Sequence, residues 1–508
     1  MSRAIQICGT GSGVGKSVIV AGLCRIFLQD GKRVAPFKAQ NMALNSFVTH
    51  EGGEIGRAQA YQAQAARVGP SIYMNPVLIK PTSETGAQVI VQGKAVGNMS
   101  ALKYTDYKGH LRKVVTESFE RLKDEYEIVV IEGAGSPAEI NLKSHDIVNM
   151  NMAKIAKAPV ILVGDIDMGG VFAWLVGTLE LLDRKERQMI KGFIINKFRG
   201  DKRLLESGLK FLERKTSRPV LGVIPYFYPG NASEVDRNVI NLPEEDAVPK
   251  HKIGFKRKLG KRVIKIDILY LPHISNFTDF DALESEGGVG LRYVDRITEL
   301  DPPDAIIIPG TKNTVHDYLH LKRSGILEKI SEFRKKGGFI AGICGGFQML
   351  GREIKDSHKI ESGFGKVEGL GLLNVATSFR LEKTLSQVKA KDLKSGIKIT
   401  GYEIHHGKTR YIDAIPMFEI VERQGKPALF LDGARTEDGR VWGTYIHGVF
   451  DSKTFRRDFI NRIRIKKGWG VLSADGDDFD QDKEFDKLAD LIRKNIDMKL
   501  LYRILERR

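Results

Sequence analysis

Short runs of aliphatic and β-branched residues alternate with helix-length segments along this chain: RAIQICG, RVAPFK, YEIVVIEGAG, APVILVGDID, IKGFIINKF and RPVLGVIPYF. Runs this short and this apolar are what strands buried on both faces look like, and parallel neighbours need a crossover, commonly a helix. The pattern predicts a mostly parallel sheet with helices on both faces. It weakens through a polar, lysine-rich stretch at about 236–262, read as a linker. It starts again with KRVIKIDILYLP, PDAIIIPGTKNT, GGFIAGICGGFQMLG and, past a more irregular region, VWGTYIHGVFD. The expectation is therefore an α/β chain of two doubly wound domains, 1–235 and 263–455, with charged terminal helices over 456–508. The 508 residues are ample for two such cores.

Directly after the first run stands GTGSGVGKS (9–17), followed by the helix-like KSVIVAGLCRIFLQDG. Strand, glycine loop and helix form the context in which backbone N–H groups and a helix N-terminus hold phosphates. Lys16 would reach the β- and γ-phosphates, and the Ser17 hydroxyl would hold Mg²⁺. The loop is one residue longer between its outer glycines than G-x-x-x-x-G-K-[ST], with Thr10 where a glycine is expected. In that it resembles the dethiobiotin synthetase type of loop. Related partitioning ATPases carry a second lysine where this chain has Gly11, which argues against a switch of that kind. The resemblance implies ATP as phosphoryl donor to a carboxyl or carbamate oxygen, with Thr10, Gly11, Gly13, Gly15, Lys16 and Ser17 around the phosphates. Glu132 ends an apolar strand in VVIEGAGSP, within reach of Mg²⁺, and matches the acidic ligand of the synthetase motif E-G-A-G. Asp165 and Asp167 leave another strand end, where ligands bind in open α/β sheets, or else form a turn. Lys38, in PFKAQNM, follows a strand and is a candidate for phosphate or a substrate carboxylate. Asn196, in IINKF, corresponds by motif to a base-contacting asparagine of the synthetases.

The second half carries different chemistry. AGICGGFQMLG sets Cys344 between a strand and a helix, among Gly342, Gly345 and Gly346, a thiol version of the G-x-S-x-G elbow. Small neighbours permit the strained turn and let backbone N–H groups approach an oxyanion. A helix N-terminus also lowers a thiol's pKa. The candidate base is His447 in GTYIHGVFD, and this Cys-then-His order resembles the class I glutamine amidotransferases. That likeness implies a flavodoxin-like domain in which the thiolate attacks the side-chain amide of glutamine and releases ammonia, with Gly310 and Gly345 at the oxyanion and glutamine site. Val449 stands where those enzymes commonly carry the glutamate that orients the histidine, so the partner of His447 is left unidentified.

FKAQNMALNSFVT, GGEIGRAQAYQAQAA, MNPVLIKPTSETGAQVIVQGK, EGAGSPAEINL, NKFRGD, SNFTDFDAL, PGTKNT, ICGGFQMLG, GYEIHHGKT and GTYIHGVFD together resemble, in order, the cobyric acid synthases. The resemblance implies ATP- and glutamine-dependent amidation of the b, d, e and g carboxylates of adenosylcobyrinic acid a,c-diamide. It makes Gln40, Asn41, Asn45 and Gln59 candidates for contact with that polycarboxylate and Glu54 a candidate metal ligand. His405 and His406 either line the glutaminase cleft or fold its loop. Met168 departs from the arginine usual in that family.

Two other readings compete. A sister amidase acting on the a and c carboxylates is disfavoured by KAQNMALNS. A nucleotide switch with an inactive glutaminase-like domain is disfavoured by Gly11 and by the intact Cys344 and His447. The net charge of +17 is spread along the chain without an aromatic-interleaved basic motif, so it reads as a solvated lysine-rich surface and no nucleic-acid partner is expected. Cys8, Cys24 and Cys344 are too few and too scattered for a disulfide framework or a zinc site. No run approaches the roughly 18–20 apolar residues of a membrane span. A cytoplasmic protein without membrane insertion is expected, its assembly state open.

Overall fold

The computed structural model describes residues 2–81, 86–227, 262–295, 302–473 and 480–506. The linker expected at 236–262 lies, save for Arg262, outside the described residues. The chain forms two compact units, one of Met1–Ala43, Gly53–Asp246 and Asp480–Arg508, the other of Leu44–Gly52 and Ala247–Phe479.

In the first unit, β1 (Arg3–Gly9), β2 (Val34–Phe37), β3 (Ile128–Glu132), β4 (Val160–Asp165), β5 (Ile190–Phe198) and β6 (Val220–Pro225) make an all-parallel sheet in the order β6-β5-β4-β1-β3-β2. Both faces are covered, so consecutive residues such as Val129, Val130 and Ile131 are all fully buried. That is why the runs read as continuously apolar. Register pairs Ile7 with Glu132, Gly9 with Val163 and Asp165 with Asn196, which brings the ends of β1, β3, β4 and β5 to one edge of the sheet. The chain runs from β1 to one side and returns to the other at β4, the kind of reversal that opens a ligand crevice.

Helix α1 (Lys16–Gln29) leaves the glycine loop and packs against the helix Gln481–Asn495. The two approach closely at Gly22, where an added Cβ would strike Ile492 Cδ1. Arg25, 1% exposed, reaches out of this contact to Asp482 at 3.0 Å and Asp486 at 2.7 Å. The terminal segment read as one block over 456–508 is thus divided. Lys453–Lys466 lies in the second unit, its Phe455 and Phe459 against Trp442, while Gln481–Asn495 and Met498–Glu506 complete the core of the first. A small side sheet of Gln40–Met42, Val77–Pro81, Gly86–Val91 and Lys94–Ser100, with helix α2 (Arg57–Ala65), fills out the first unit.

The second unit is built on one mixed sheet. Its parallel part runs β8 (Val289–Val294), β7 (Ile264–Leu269), β9 (Ala305–Ile308), β10 (Phe339–Ile343) and β15 (Val441–Thr444). The irregular stretch of the sequence proves to be a long antiparallel extension, β11 (Val375–Asp392), β12 (Lys398–Tyr411), β13 (Ile415–Arg423) and β14 (Lys426–Arg435), continuing the sheet from β15. Both units are α/β, as the alternation predicts. Among the described residues no helix is long and apolar enough to cross a membrane.

Gly22→Val should drive the terminal helix off α1, because the added methyls have only Ile492 and Leu488 to displace. A loss of about 1–3 kcal/mol is expected, typical of overpacking, read as a lower urea midpoint for the transition of the first unit.

Candidate functional site

One centre gathers where β1, β3, β4 and β5 end. Gly13 and Gly15 have φ of 73° and 91°, the left-handed region that favours glycine. A Cβ on Gly15 would strike the amide of Asn196, which donates from Nδ2 to Val14 O at 2.9 Å and so fastens the loop to β5. Lys16 folds over the loop, its Nζ donating to Gly11 O at 2.8 Å and Gly135 O at 3.3 Å.

Beneath the loop Glu132 collects partners from several elements. Ser17 Oγ donates to Glu132 Oε1 at 2.6 Å, and Lys38 Nζ reaches the same oxygen at 2.6 Å. Gln62 Nε2 donates to Oε2 at 2.6 Å, with Gln59 Nε2 at 3.4 Å. Burial alone would raise this carboxyl, yet the charge of Lys38 and the hydrogen bonds of Lys38, Ser17 and Gln62 together hold it below the usual carboxylate range. An ionised carboxylate beside a hydroxyl is oxygen-only donor chemistry, which suits a hard divalent ion.

Two buried oxygens around the loop, Thr10 Oγ1 and Asn196 Oδ1, have no hydrogen-bond partner among the described residues. Leaving such atoms unsatisfied costs about 1–3 kcal/mol each. A phosphate at the loop and a base near β5 would supply partners, so the residues present fit a nucleotide.

The other candidates are distributed more widely. Asn41 Nδ2 donates to Gln59 Oε1 at 3.1 Å, and Gln40 accepts from the Tyr104 hydroxyl. Glu54 forms a buried ion pair with Lys80, so Glu132 is the candidate carboxylate that meets Ser17. Asp165 accepts from Asp167 N at 2.9 Å, the turn-forming arrangement, while Asp167 pairs with Arg199 at 2.7 Å and Met168 is exposed. Two residues without a motif of their own join this centre. Gln62 lies in AQAYQAQAA without a motif to single it out. Lys197, held at φ 61°, places Nζ 2.7 Å from Gly13 O and 2.9 Å from the Asp165 carboxylate, bringing a second ammonium to a loop that has glycine at position 11.

The second centre lies in the other unit. Cys344 sits between β10 and α3 (Gly345–Leu350) with φ 51° and ψ −106°, a conformation that costs a non-glycine residue about 1–3 kcal/mol. Surrounding contacts hold it there. A Cβ on Gly342 would come 2.7 Å from Gly346 C, and one on Gly346 would strike Ile308 O, so the elbow closes backbone on backbone. The Cys344 thiol donates to Ile404 O at 3.5 Å and lies close enough to the His447 ring to raise its pKa, while His447 Nδ1 stands 2.7 Å from Asp279 Oδ2. Asp279 Oδ1 accepts from Gly448 N at 3.0 Å. All three residues are buried. Burial disfavours the imidazolium, but the Asp279 charge and hydrogen bond, then Cys344, push His447 up to about 10.

The group that orients His447 is therefore Asp279, from SNFTDFDAL, while Val449 is a core residue. The motif containing Asp279 was visible, but nothing in a span of 168 residues says which of its aspartates meets the ring. Gly310 borders the same cleft: a Cβ there would lie 3.1 Å from His447 Cε1 and 3.8 Å from Cys344 Cβ. A Cβ on Gly345 would lie 2.7 Å from Thr311 Cγ2.

The short segment Leu44–Gly52 belongs to this unit and touches the residues around His447. Asn45 Oδ1 accepts from Phe277 N at 3.2 Å, and Ser46 N donates to Asn276 Oδ1 at 2.9 Å. Because Ser46 claims the oxygen of that amide, its nitrogen faces His447 Nε2, at 3.4 Å. Tyr402 stacks on His447 at 5.3 Å, with Phe47 5.2 Å from Tyr402. His405, within β12, stacks on Tyr445 at 3.8 Å, with Nδ1 2.7 Å from Gly407 O and Nε2 3.3 Å from Glu403. The half-buried His406 has Nδ1 3.1 Å from Arg380 O.

Residues 5–229 match the CobQ/CobB/MinD/ParA nucleotide binding domain, and residues 265–455 match the CobB/CobQ-like glutamine amidotransferase domain. The chain is thus an α/β enzyme that joins a nucleotide-binding domain to a glutamine amidotransferase domain. Its similarity extends end to end. It is 50% identical to a cobyric acid synthase of Thermoanaerobacter sp. (strain X514), covering 100% of this chain and 99% of the relative. Identity is 49% to that of Dehalococcoides mccartyi (strain CBDB1), over 99% of each chain, and 48% to that of Clostridium botulinum (strain ATCC 19397 / Type A), again over 99% of each. The chain belongs to the cobyric acid synthase family.

A histidine raised to about 10 in the fold contributes stability that is complete below its unfolded pKa of about 6.5 and is lost as pH rises through about 10. Wild type should accordingly lose stability over that alkaline range more steeply than Asp279→Asn. Urea midpoints measured from pH 6 to 10.5 in both proteins check this, and parallel curves would contradict the His447–Asp279 pairing.

Proposed function

We propose that the chain amidates the b, d, e and g carboxylates of adenosylcobyrinic acid a,c-diamide, using glutamine as nitrogen source and ATP as energy source. The observation that carries the proposal is the burial of Cys344, His447 and Asp279 together, a nucleophile, base and orienting acid, with the thiol and the carboxylate both acting on the imidazole.

In this reading His447 Nε2 already holds the proton of Cys344, and the Cys344 thiolate attacks the side-chain carbonyl carbon of glutamine. Backbone N–H groups at Gly310 and Gly345 are assigned to the oxyanion. His447 then gives the proton to the departing nitrogen, which leaves as ammonia, and water cleaves the thioester to glutamate. Asp279 keeps Nδ1 protonated, so that Nε2 is the nitrogen facing sulfur. Asn276, fixed by Ser46, is a positioning residue on the same imidazole.

In the nucleotide half, Lys16, Lys197 and the N–H groups of residues 10–17 hold the phosphates, and Asn196 meets the base. Ser17 and Glu132 would hold Mg²⁺. When bound, ATP with Mg²⁺ supplies the phosphoryl group that turns a carboxylate into a mixed anhydride open to ammonia. Lys38 and Gln59, together with Gln40 and Asn41, contribute the amide and cationic groups suited to a polycarboxylate. Glu54 serves this surface through Lys80.

Incubation with ATP, Mg²⁺, glutamine and the a,c-diamide, followed by mass spectrometry, should show four successive amidations. Cys344→Ala should lose glutamine-driven turnover and keep ammonium-driven turnover at raised pH. Failure with both nitrogen sources in a folded, ATP-binding variant would overturn the division of labour. Asp279→Asn should lower the glutamine-driven kcat by roughly 10²- to 10⁴-fold, the range expected when a histidine loses its orienting acid. Lys197→Ala should raise the KM for ATP by about tenfold, the worth of roughly 1.4 kcal/mol of lost phosphate binding.

A further inference from the structure

We propose that the second unit carries a binding site for a divalent transition ion of the zinc class, formed by His273, His316 and Asp317. One atom from each side chain can be chosen so that all lie within 4.8 Å of one another. His273 Nδ1 stands 2.7 Å, and His316 Nδ1 3.7 Å, from the same oxygen, Asp317 Oδ1. A tetrahedral ion with bonds of about 2.0–2.1 Å separates its ligand atoms by roughly 3.3 Å. The two spacings bracket that value.

The frame is fixed by contacts that leave the ligand atoms in place. Asp317 is fully buried, and its other oxygen, Oδ2, is taken by Thr311 Oγ1 and by His273 N at 3.1 Å. This turns Oδ1 toward the imidazoles. The His273 backbone is pinned in turn, its carbonyl accepting from Lys312 N at 2.9 Å. His316 stands in the first turn of the helix Thr314–Arg323, and its N donates to the capping Asn313 Oδ1 at 3.2 Å. The two rings meet edge to face with centroids 4.9 Å apart.

Burial is graded across the site, from Asp317 at 0% side-chain exposure through His273 at 24% to His316 at 51%. The half-exposed His316 gives the ion an approach from solvent, and water would complete its coordination. The positive end of the helix opposes a cation, and the buried carboxylate offsets it. Two imidazoles and one carboxylate favour Zn²⁺, Co²⁺ or Ni²⁺ over Mg²⁺ or Ca²⁺, which prefer all-oxygen sets. Neither His273 nor His316 takes part in the glutaminase chemistry proposed above, so the site stands independently of that reading.

The test is equilibrium dialysis of the chelator-stripped full chain against Zn²⁺, with metal quantified per chain, in wild type, His316→Ala and His273→Gln. Wild type should bind one more Zn²⁺ than either variant, or bind that ion at least about tenfold more tightly. Co²⁺ should give visible absorption bands in wild type that are lost in both variants. Equal stoichiometry and affinity in wild type and His316→Ala, or displacement of Zn²⁺ by millimolar Mg²⁺, would overturn the proposal. His316 is half-exposed, so its variant should keep the wild-type Tm in the absence of metal. Should it not, the His273→Gln comparison decides in the same way.

Discussion

The nucleotide half is organised around one buried negative charge. An isolated carboxylate taken out of water costs several kcal/mol, and Glu132 is fully inside the protein. It is tolerable only because Ser17 from α1, Lys38 from the loop after β2, and Gln62 from α2 all turn toward it. Each therefore has one direction to point, and the helix that begins at the phosphate loop is oriented by the same carboxylate that ends β3. A residue whose solvation is supplied entirely by its neighbours dictates where those neighbours stand.

The glutaminase half uses the same principle with different groups. Asp279 is buried and satisfied by His447 and by Gly448 N, so the imidazole cannot turn without stranding a charge. The strain at Cys344 is sustained in a similar way. With Gly342, Gly346 and Ile308 in backbone contact, the turn has no slack in which the cysteine could relax to negative φ. Reactive geometry is held by packing around it, which is how such sites retain conformations that an isolated peptide would abandon.

Chain order and packing do not coincide. Leu44–Gly52 is flanked by residues of the first unit yet packs in the second, and Asp480–Arg508 follows the second yet completes the first. Asn45, which sequence context grouped with Lys38 and Gln59, accepts a hydrogen bond from Phe277 instead. Arg25, mid-helix in an apolar face, finds its charges in Asp482 and Asp486, more than 450 residues away. These pairings stabilise the fold without leaving any periodic trace.

The α/β class, the parallel strands of both units, the phosphate loop and the strained cysteine elbow are legible in the residue order alone. These are local matters: a strand buried on both faces is apolar at nearly every position, and a left-handed turn favours glycine, as at Gly13 and Gly15. Residue order left the antiparallel extension unread, because strands such as Lys426–Arg435 expose Leu429, Phe430 and Leu431 in succession and so lack the alternation that announces a half-buried strand. That Asp279 orients the histidine, that Gln62 and Lys197 join the phosphate-loop cluster, and that Glu54 turns to Lys80 emerges from packing in three dimensions. Each depends on side chains brought together by the packing of whole elements, and hydrogen bonds act over a few ångströms of space, whatever the distance along the chain.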